Sequence, residues 1–368
     1  MYNWQHQDWA NFIYDDSILD SLVPDFAIEF GELRGMISAL PNAARQDTVL
    51  ELLVNEAIKT SEIEGEFYSR MDVMSSIKNK IGIHPSIAHI RDKEARGIGE
   101  LMVDVNLHFN TPLSESLIKN WHHILFQKSS SIHAGAYRSG DEPMVIVSGS
   151  YGREIIHYEA PPSIEVEKQM KEFISWYNNF IVQPNAIKES LIKASLTHLY
   201  FESIHPFEDG NGRIGRALSE KCLAECFQYP LVLSISNVIG KNKLAYYDNL
   251  KIAQRTLEVT QWIYYFSNLV LSAQKLTKQL IEFTLFKTRF IDLHRSSLND
   301  RQLKVVLKMF EYGLEGFQGG MTAKKYISIT KTSKATATRD LQDLLEKRIF
   351  SVSGAGRSVS YSICNDTL

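Results

Sequence analysis

His205-Pro-Phe-Glu-Asp-Gly-Asn-Gly-Arg-Ile-Gly-Arg216 sets a histidine, two acids, three glycines, an asparagine and two arginines in twelve residues. Upstream, Leu191, Ile192, Leu196, Leu199 and Tyr200 recur at helical spacing, and residues 217–227 downstream are again apolar. The stretch is therefore a polar loop between two buried helices. Gly210-Asn211-Gly212 frees the backbone for positive φ and close approach to a ligand, with its N–H groups gathered where the next helix begins. That is an anion nest on a helix N-terminus. Arg213 and Arg216, three apart in the first turn, share one face and aim two guanidinium forks at whatever the nest holds. Cations at a positive helix end need an anionic partner, and a polyphosphate fits. Asp209 stands where a carboxylate can hold Mg²⁺ against phosphate oxygens. His205, four residues upstream, is placed as a general base for an incoming hydroxyl.

Every specified position of this stretch matches the signature of the Fic family, His-x-Phe-x-acid-Gly-Asn-Gly-Arg-x-x-Arg, which it closely resembles. The resemblance implies a helical domain that, in most members, transfers AMP from ATP to a hydroxyl of a target protein. By it, His205 is the base, Asp209 holds Mg²⁺ between the α- and β-phosphates, and Gly210, Asn211 and Gly212 cradle them. Arg213 takes the β-phosphate and Arg216 the γ-phosphate. Some relatives use other nucleotides, remove AMP, transfer phosphocholine, or act as kinases with an altered glycine loop. The intact Gly210–Arg213 run argues against the last.

A second stretch, Lys59-Thr-Ser-Glu-Ile-Glu-Gly-Glu66, ends a helix at Gly65 and leaves Glu64 in its last turn. An anion at the negative end of a helix calls for a cationic partner elsewhere. The spacing Thr60-x-x-x-Glu64-Gly65 is similar to the inhibitory motif of Fic proteins. The resemblance implies that Glu64 pairs with Arg216, fills the space of the γ-phosphate and repels it, with Thr60 orienting the carboxylate, so that ATP binds in a pose unfit for transfer.

Gly135-Ala-Tyr-Arg138 opens an extended region. Residues 142–147 and 153–158 are β-branched runs around Ser148-Gly-Ser-Tyr-Gly152, a hairpin signal. A lone hairpin on a helical protein exposes backbone edges that must be covered or used. It resembles the flap of Fic proteins, which holds a target peptide by strand addition. In the family a residue near 242–257 touches the adenosine, which nominates Asn249 or Tyr246. His122 and His123 read as packing or surface histidines.

Residues 71–110 continue in helical pattern, and helices are expected over 118–126, 163–180 and 256–285. Residues 299–312, 322–327 and 333–348 then give three short helices, followed by an alternating segment turning at Gly-Ala-Gly. Three helices and a hairpin in about seventy residues are the pattern of a winged helix. This tail carries eleven Lys/Arg against seven Asp/Glu, while the remainder is at −7 within a net charge of −3. Lys334, Thr336, Thr338, Arg339 and Arg357 make DNA a candidate partner, but the local +4 is modest and winged helices also serve as protein docking or dimerisation modules, which is the favoured expectation.

The 368 residues, 44% hydrophobic and 23% charged, are ordinary globular values that exclude a disordered chain. Three cysteines give no disulfide framework, and Cys222 and Cys226 read as core thiols. No signal peptide or membrane span is expected, and the setting expected is cytoplasmic.

The expected architecture is all-α. Residues 1–110 form an N-terminal helical region with the inhibitory helix (Thr60 to Gly65). Residues 111–275 form a Fic core with the flap at 142–160, and 276–368 a linker helix and winged helix. The expected activity is an autoinhibited protein adenylyltransferase, using ATP and Mg²⁺ on a Tyr, Thr or Ser hydroxyl of a protein, the chain itself included. The alternatives are removal of AMP using Glu64, or a DNA-binding regulator whose core senses nucleotide. A homodimer is a candidate arrangement.

Overall fold

The computed structural model describes residues 1–82, 92–127, 129, 131–148, 155–184, 186–230 and 232–364. They form two compact units, Met1–Thr277 and Lys278–Leu368.

In the first unit, α1 (Val23–Ala39), α2 (Asn42–Ile63), α3 (Arg70–Lys80), α4 (Lys93–Leu107) and α5 (Glu115–Phe126) lead to a two-stranded antiparallel hairpin, β1 (Val145–Ser148) and β2 (Ile155–Glu159). Then come α6 (Ser163–Asn179), α7 (Ile187–Ile204), α8 (Asn211–Cys226), α9 (Ile235–Lys241), α10 (Lys243–Ala253) and α11 (Thr260–His294), the last running on into the second unit. α11 starts four residues later than its periodicity suggests, because Glu258 is bridged to Ile13 in extended form and Thr256 caps its amide. The expected hairpin turn falls outside the described residues, as do 83–91 between α3 and α4.

α7 and α8 are the centre of this unit and pack on each other. Every residue of α7 from Ser190 to Ile204 is buried, as its apolar circumference requires. Of the polar groups it carries inward, His198 is satisfied locally. The His198 ring bonds Ser219 Oγ (3.1 Å) and Tyr246 Oη (2.7 Å) and stacks on Phe266. α2 packs against α8 as well as α3, α4 and α9, which brings its C-terminal end to the start of α8. The N-terminal segment crosses the same centre: Asn3 is buried and donates to Ser203 Oγ (2.8 Å).

The second unit has α12 (Asp300–Phe310), α13 (Ala323–Thr330), α14 (Lys334–Glu346) and an antiparallel hairpin, β3 (Phe350–Ser353) and β4 (Ser360–Ile363). Each helix begins at a side-chain cap: Asn299 with Gln302 in a capping box, Thr322, and Ser333. Val305, Val306, Met309, Tyr326, Leu341, Leu344 and Phe350 form its core. Among the described residues no helix is long and apolar enough to cross a membrane.

Candidate functional site

His205 caps α7 with φ 50° and ψ 60°, a left-handed conformation costly for a residue with a side chain. The turn is held from outside the loop. Arg138 is buried, and its guanidinium donates to the carbonyls of His205 (2.8 Å), Pro161 (2.5 Å) and Ile204 (3.3 Å) and to Ser163 Oγ (3.0 Å). Its own amide donates to Pro206 O (2.9 Å). No neighbouring motif marks Arg138 for this in the sequence.

The His205 ring is nearly enclosed, and burial, with Arg138 adding to it, pushes the imidazole down to about 4. It is therefore unprotonated at neutral pH. Nδ1 is buried without a hydrogen-bond partner and lies 3.7 Å from Glu202 Oε2. Burial pushes the Glu202 carboxyl up to about 8 against the pull of Arg216.

Between His205 and α8 the loop is stapled by Asn211, whose amide accepts from Phe207 N–H (3.0 Å) and donates to Phe207 O (2.8 Å). The Asn211 side chain thus shapes the loop and leaves only its backbone N–H for a ligand. His122, read as a packing histidine, has a second use: its ring stacks on Phe207, accepts from Gly135 N–H (2.8 Å) and reaches Asp209 O at 3.3 Å. Gly210, at φ 81°, caps α8 where a Cβ would strike Phe126 at 2.6 Å. The first intrahelical bond runs from Ile214 N–H to Gly210 O, so the N–H groups of Asn211, Gly212 and Arg213 precede it. Asp209, half-exposed, accepts from Gly210 N–H and faces Arg213 Nη2 at 3.3 Å.

Glu64 sits on this helix start. α2 ends in a Schellman turn, with Glu66 N–H bonded to Ser61 O (3.0 Å), Gly65 N–H to Glu62 O (3.2 Å), and Gly65 at φ 85°. Lys243 donates to the Glu62 and Ile63 carbonyls (2.6 and 3.2 Å), neutralising the helix end. The turn presents Glu64 Oε1 to Arg216 Nη2 at 2.7 Å. Thr60 accepts from Arg216 through Oγ1 (2.8 Å) and its carbonyl (3.1 Å). A Cβ on Gly212 would lie 2.4 Å from Glu64 Oε1, so the carboxylate covers the nest itself. Burial pushes Glu64 up, but Arg216, with Arg213 and His205 beyond it, holds it below its usual range.

Tyr246, one of the two adenosine candidates, is buried and committed to His198. Asn249 is half-buried and donates to Ala245 O (2.8 Å). Among the described residues no three His, Cys, Asp or Glu side chains gather as a metal site.

The Fic/DOC family matches residues 112–223, which span α5, the hairpin and the whole loop from His205 to Arg216. The chain therefore carries a Fic/DOC domain over these residues. A separate domain of unknown function, DUF4172, matches residues 2–83, the region containing Thr60, Glu64 and Gly65. A probable protein adenylyltransferase of Aquifex aeolicus is 31% identical over 142 residues, 39% of this chain and 37% of that protein. The protein adenylyltransferase Fic of Nematostella vectensis is 27% identical over 179 residues, 47% of this chain and 38% of that protein. The chain thus spans well under half the length of these relatives. In three dimensions it is similar to a Fic family protein from Desulfovibrio desulfuricans (TM-score 0.51, 17% identity, 94% of this chain and 97% of that one). It is also similar to a Fic-domain signaling protein from Bacteroides thetaiotaomicron (TM-score 0.53, 18% identity, 70% and 97%). These likenesses establish the helical Fic fold.

Proposed function

We propose that this protein is an autoinhibited protein adenylyltransferase. The observation that carries the reading is the neutral, enclosed His205 beside an anion nest whose second arginine is already neutralised by Glu64. A target hydroxyl gives its proton to the His205 imidazole as its oxygen bonds to the α-phosphorus of ATP. The bond from that phosphorus to the bridging oxygen breaks, and pyrophosphate leaves. Arg213 and Arg216 neutralise the departing phosphates, and the N–H groups at the start of α8 hold the α-phosphate. The half-exposed Asp209 carboxylate fits Mg²⁺ bound jointly with phosphate oxygens, since this ion is commonly held by one or two carboxylates and its substrate's phosphates. When bound, the ion would offset phosphate charge. With Glu64 against Arg216, a γ-phosphate cannot be seated productively.

The test is incorporation of α-labelled ATP into the protein and into a cell lysate. Labelling is expected to rise sharply in Glu64→Gly and to vanish when His205→Ala is added. Labelling that survives His205→Ala would remove the histidine from the reaction.

For the second unit we propose a winged helix that contacts DNA, on the observation that Lys334, Thr338 and Arg339 lie exposed near the start of α14. Duplex affinity that falls with salt and is weakened by Arg339→Ala is the expected result. Affinity indifferent to both would reject it.

A further inference from the structure

Two residues beyond Glu64, across Gly65, Glu66 follows the Schellman turn and forms an ion pair with Arg213 Nη1. The pair closes the remaining fork of the site. Arg213 is only 2% exposed, its Nη2 faces Asp209, and its guanidinium lies 5.0 Å from the centre of the Phe126 ring. Glu66 is itself held: Tyr68 Oη donates to its Oε2 at 2.5 Å. Glu64 and Glu66 flank one positive-φ glycine, while Arg213 and Arg216 are three apart in the first two turns of α8. The two acids of this turn thus each meet one arginine, Glu64 meeting Arg216 and Glu66 meeting Arg213.

We propose that Glu66 is a second inhibitory carboxylate, occupying on Arg213 the place of the β-phosphate as Glu64 occupies that of the γ-phosphate on Arg216. This rests on the adenylyltransferase reading above and adds something that reading does not require. A block at Arg216 alone acts only on a nucleotide with a γ-phosphate. A block at Arg213 acts on every nucleotide with a β-phosphate, ADP included, and spares AMP. Release of the enzyme therefore takes displacement of the whole 64–66 turn, and Glu64→Gly alone leaves part of the brake in place.

The experiment measures direct binding of AMP, ADP and ATP, with α-labelled transfer alongside, for the native chain, Glu64→Gly, Glu66→Gln and the double variant. Gln keeps the size of the side chain and an oxygen for Tyr68 while removing the charge. Glu66→Gln is expected to tighten ADP and ATP on the order of tenfold, the worth of one charge-assisted contact, with AMP unchanged. The double variant should transfer faster than Glu64→Gly at subsaturating ATP. Tyr68→Phe should move ADP affinity in the same direction by less. ADP affinity unchanged in Glu66→Gln, while Glu64→Gly binds ATP and labels protein, overturns this proposal and leaves the adenylyltransferase reading standing. Tightening of AMP equal to that of ADP also overturns it. Binding of no adenine nucleotide by any variant overturns both.

Discussion

The two units of this protein solve the same packing problem with opposite chemistry. In the first, the central pair α7 and α8 buries His198, Glu202, Arg213, Arg216 and Glu220, and α2 adds the buried Glu56 beside them. In the second, three helices and a hairpin close over carbon: Val305, Val306, Leu341, Leu344, Ile349 and Phe350 are all buried, and the polar groups are confined to a cluster around Asp340. There Asp340 accepts from Arg301 Nε (2.8 Å) and Tyr326 Oη (2.9 Å). Burying ionisable groups is expensive unless each is paired. The first unit carries that cost where the nucleotide chemistry is proposed, and the second has no comparable reason to.

The sharpest way to break this contrast is to remove carbon from the second unit. Leu341→Ala, at a position 1% exposed, should destabilise that unit by about 2–5 kcal/mol in denaturant unfolding. A loss under about 1 kcal/mol would show that its core is not the close-packed one described.

In the first unit the corresponding strike is on a hydrogen-bonding fork. Arg138→Lys keeps the charge but cannot reach several carbonyls from one plane. It is expected to loosen the His205 turn and lower transfer in the Glu64→Gly background by on the order of 100-fold, the effect of a small misplacement of a reacting group. Unchanged transfer would mean that the left-handed turn is held by the loop itself.

A smaller effect concerns pH. Burial raises Glu202 to about 8 and Glu56 to about 7, so the folded state holds these protons more tightly than the unfolded chain. Their contribution is complete below the unfolded carboxylate range and is lost as pH rises through those values. His198 and His205, lowered by burial to about 3 and about 4, work the other way: their contribution is lost as pH falls below about 6.5. The terms oppose each other between roughly pH 4.5 and 6.5, and only the carboxyls act above that. Unfolding free energy should therefore decline from pH 6.5 to 8 by about 1.4 kcal/mol per unit for each carboxyl still protonated. In Glu202→Gln that slope should be shallower. An unchanged slope would show that Glu202 is already ionised in the fold.

Much of the fold was legible in the chain. The helices and both hairpins follow from apolar spacing, β-branched runs and caps such as Ser114 and Ser333, because those signals act over a few residues. The start of α8 at Gly210 and the end of α2 at Gly65 were equally local, since both glycines stand at a positive φ that glycine takes without strain. Arg138, His122 and Glu66 were not legible. Each acts across a distance the sequence does not encode, Arg138 on a turn 67 residues away and Glu66 on an arginine 147 residues away. For Glu66 a signal existed, an acid symmetric with Glu64 about Gly65, but only the packing of α2 against α8 gives that symmetry a partner. The sequence by itself determined the pieces that short-range sterics and hydrogen bonding can set: where helices stop, which backbone N–H groups gather at a helix start and which polar side chains follow them in the chain. The tertiary structure alone decided which charges meet and how deeply they are buried, since pairing and desolvation depend on what other helices bring to the same few ångströms.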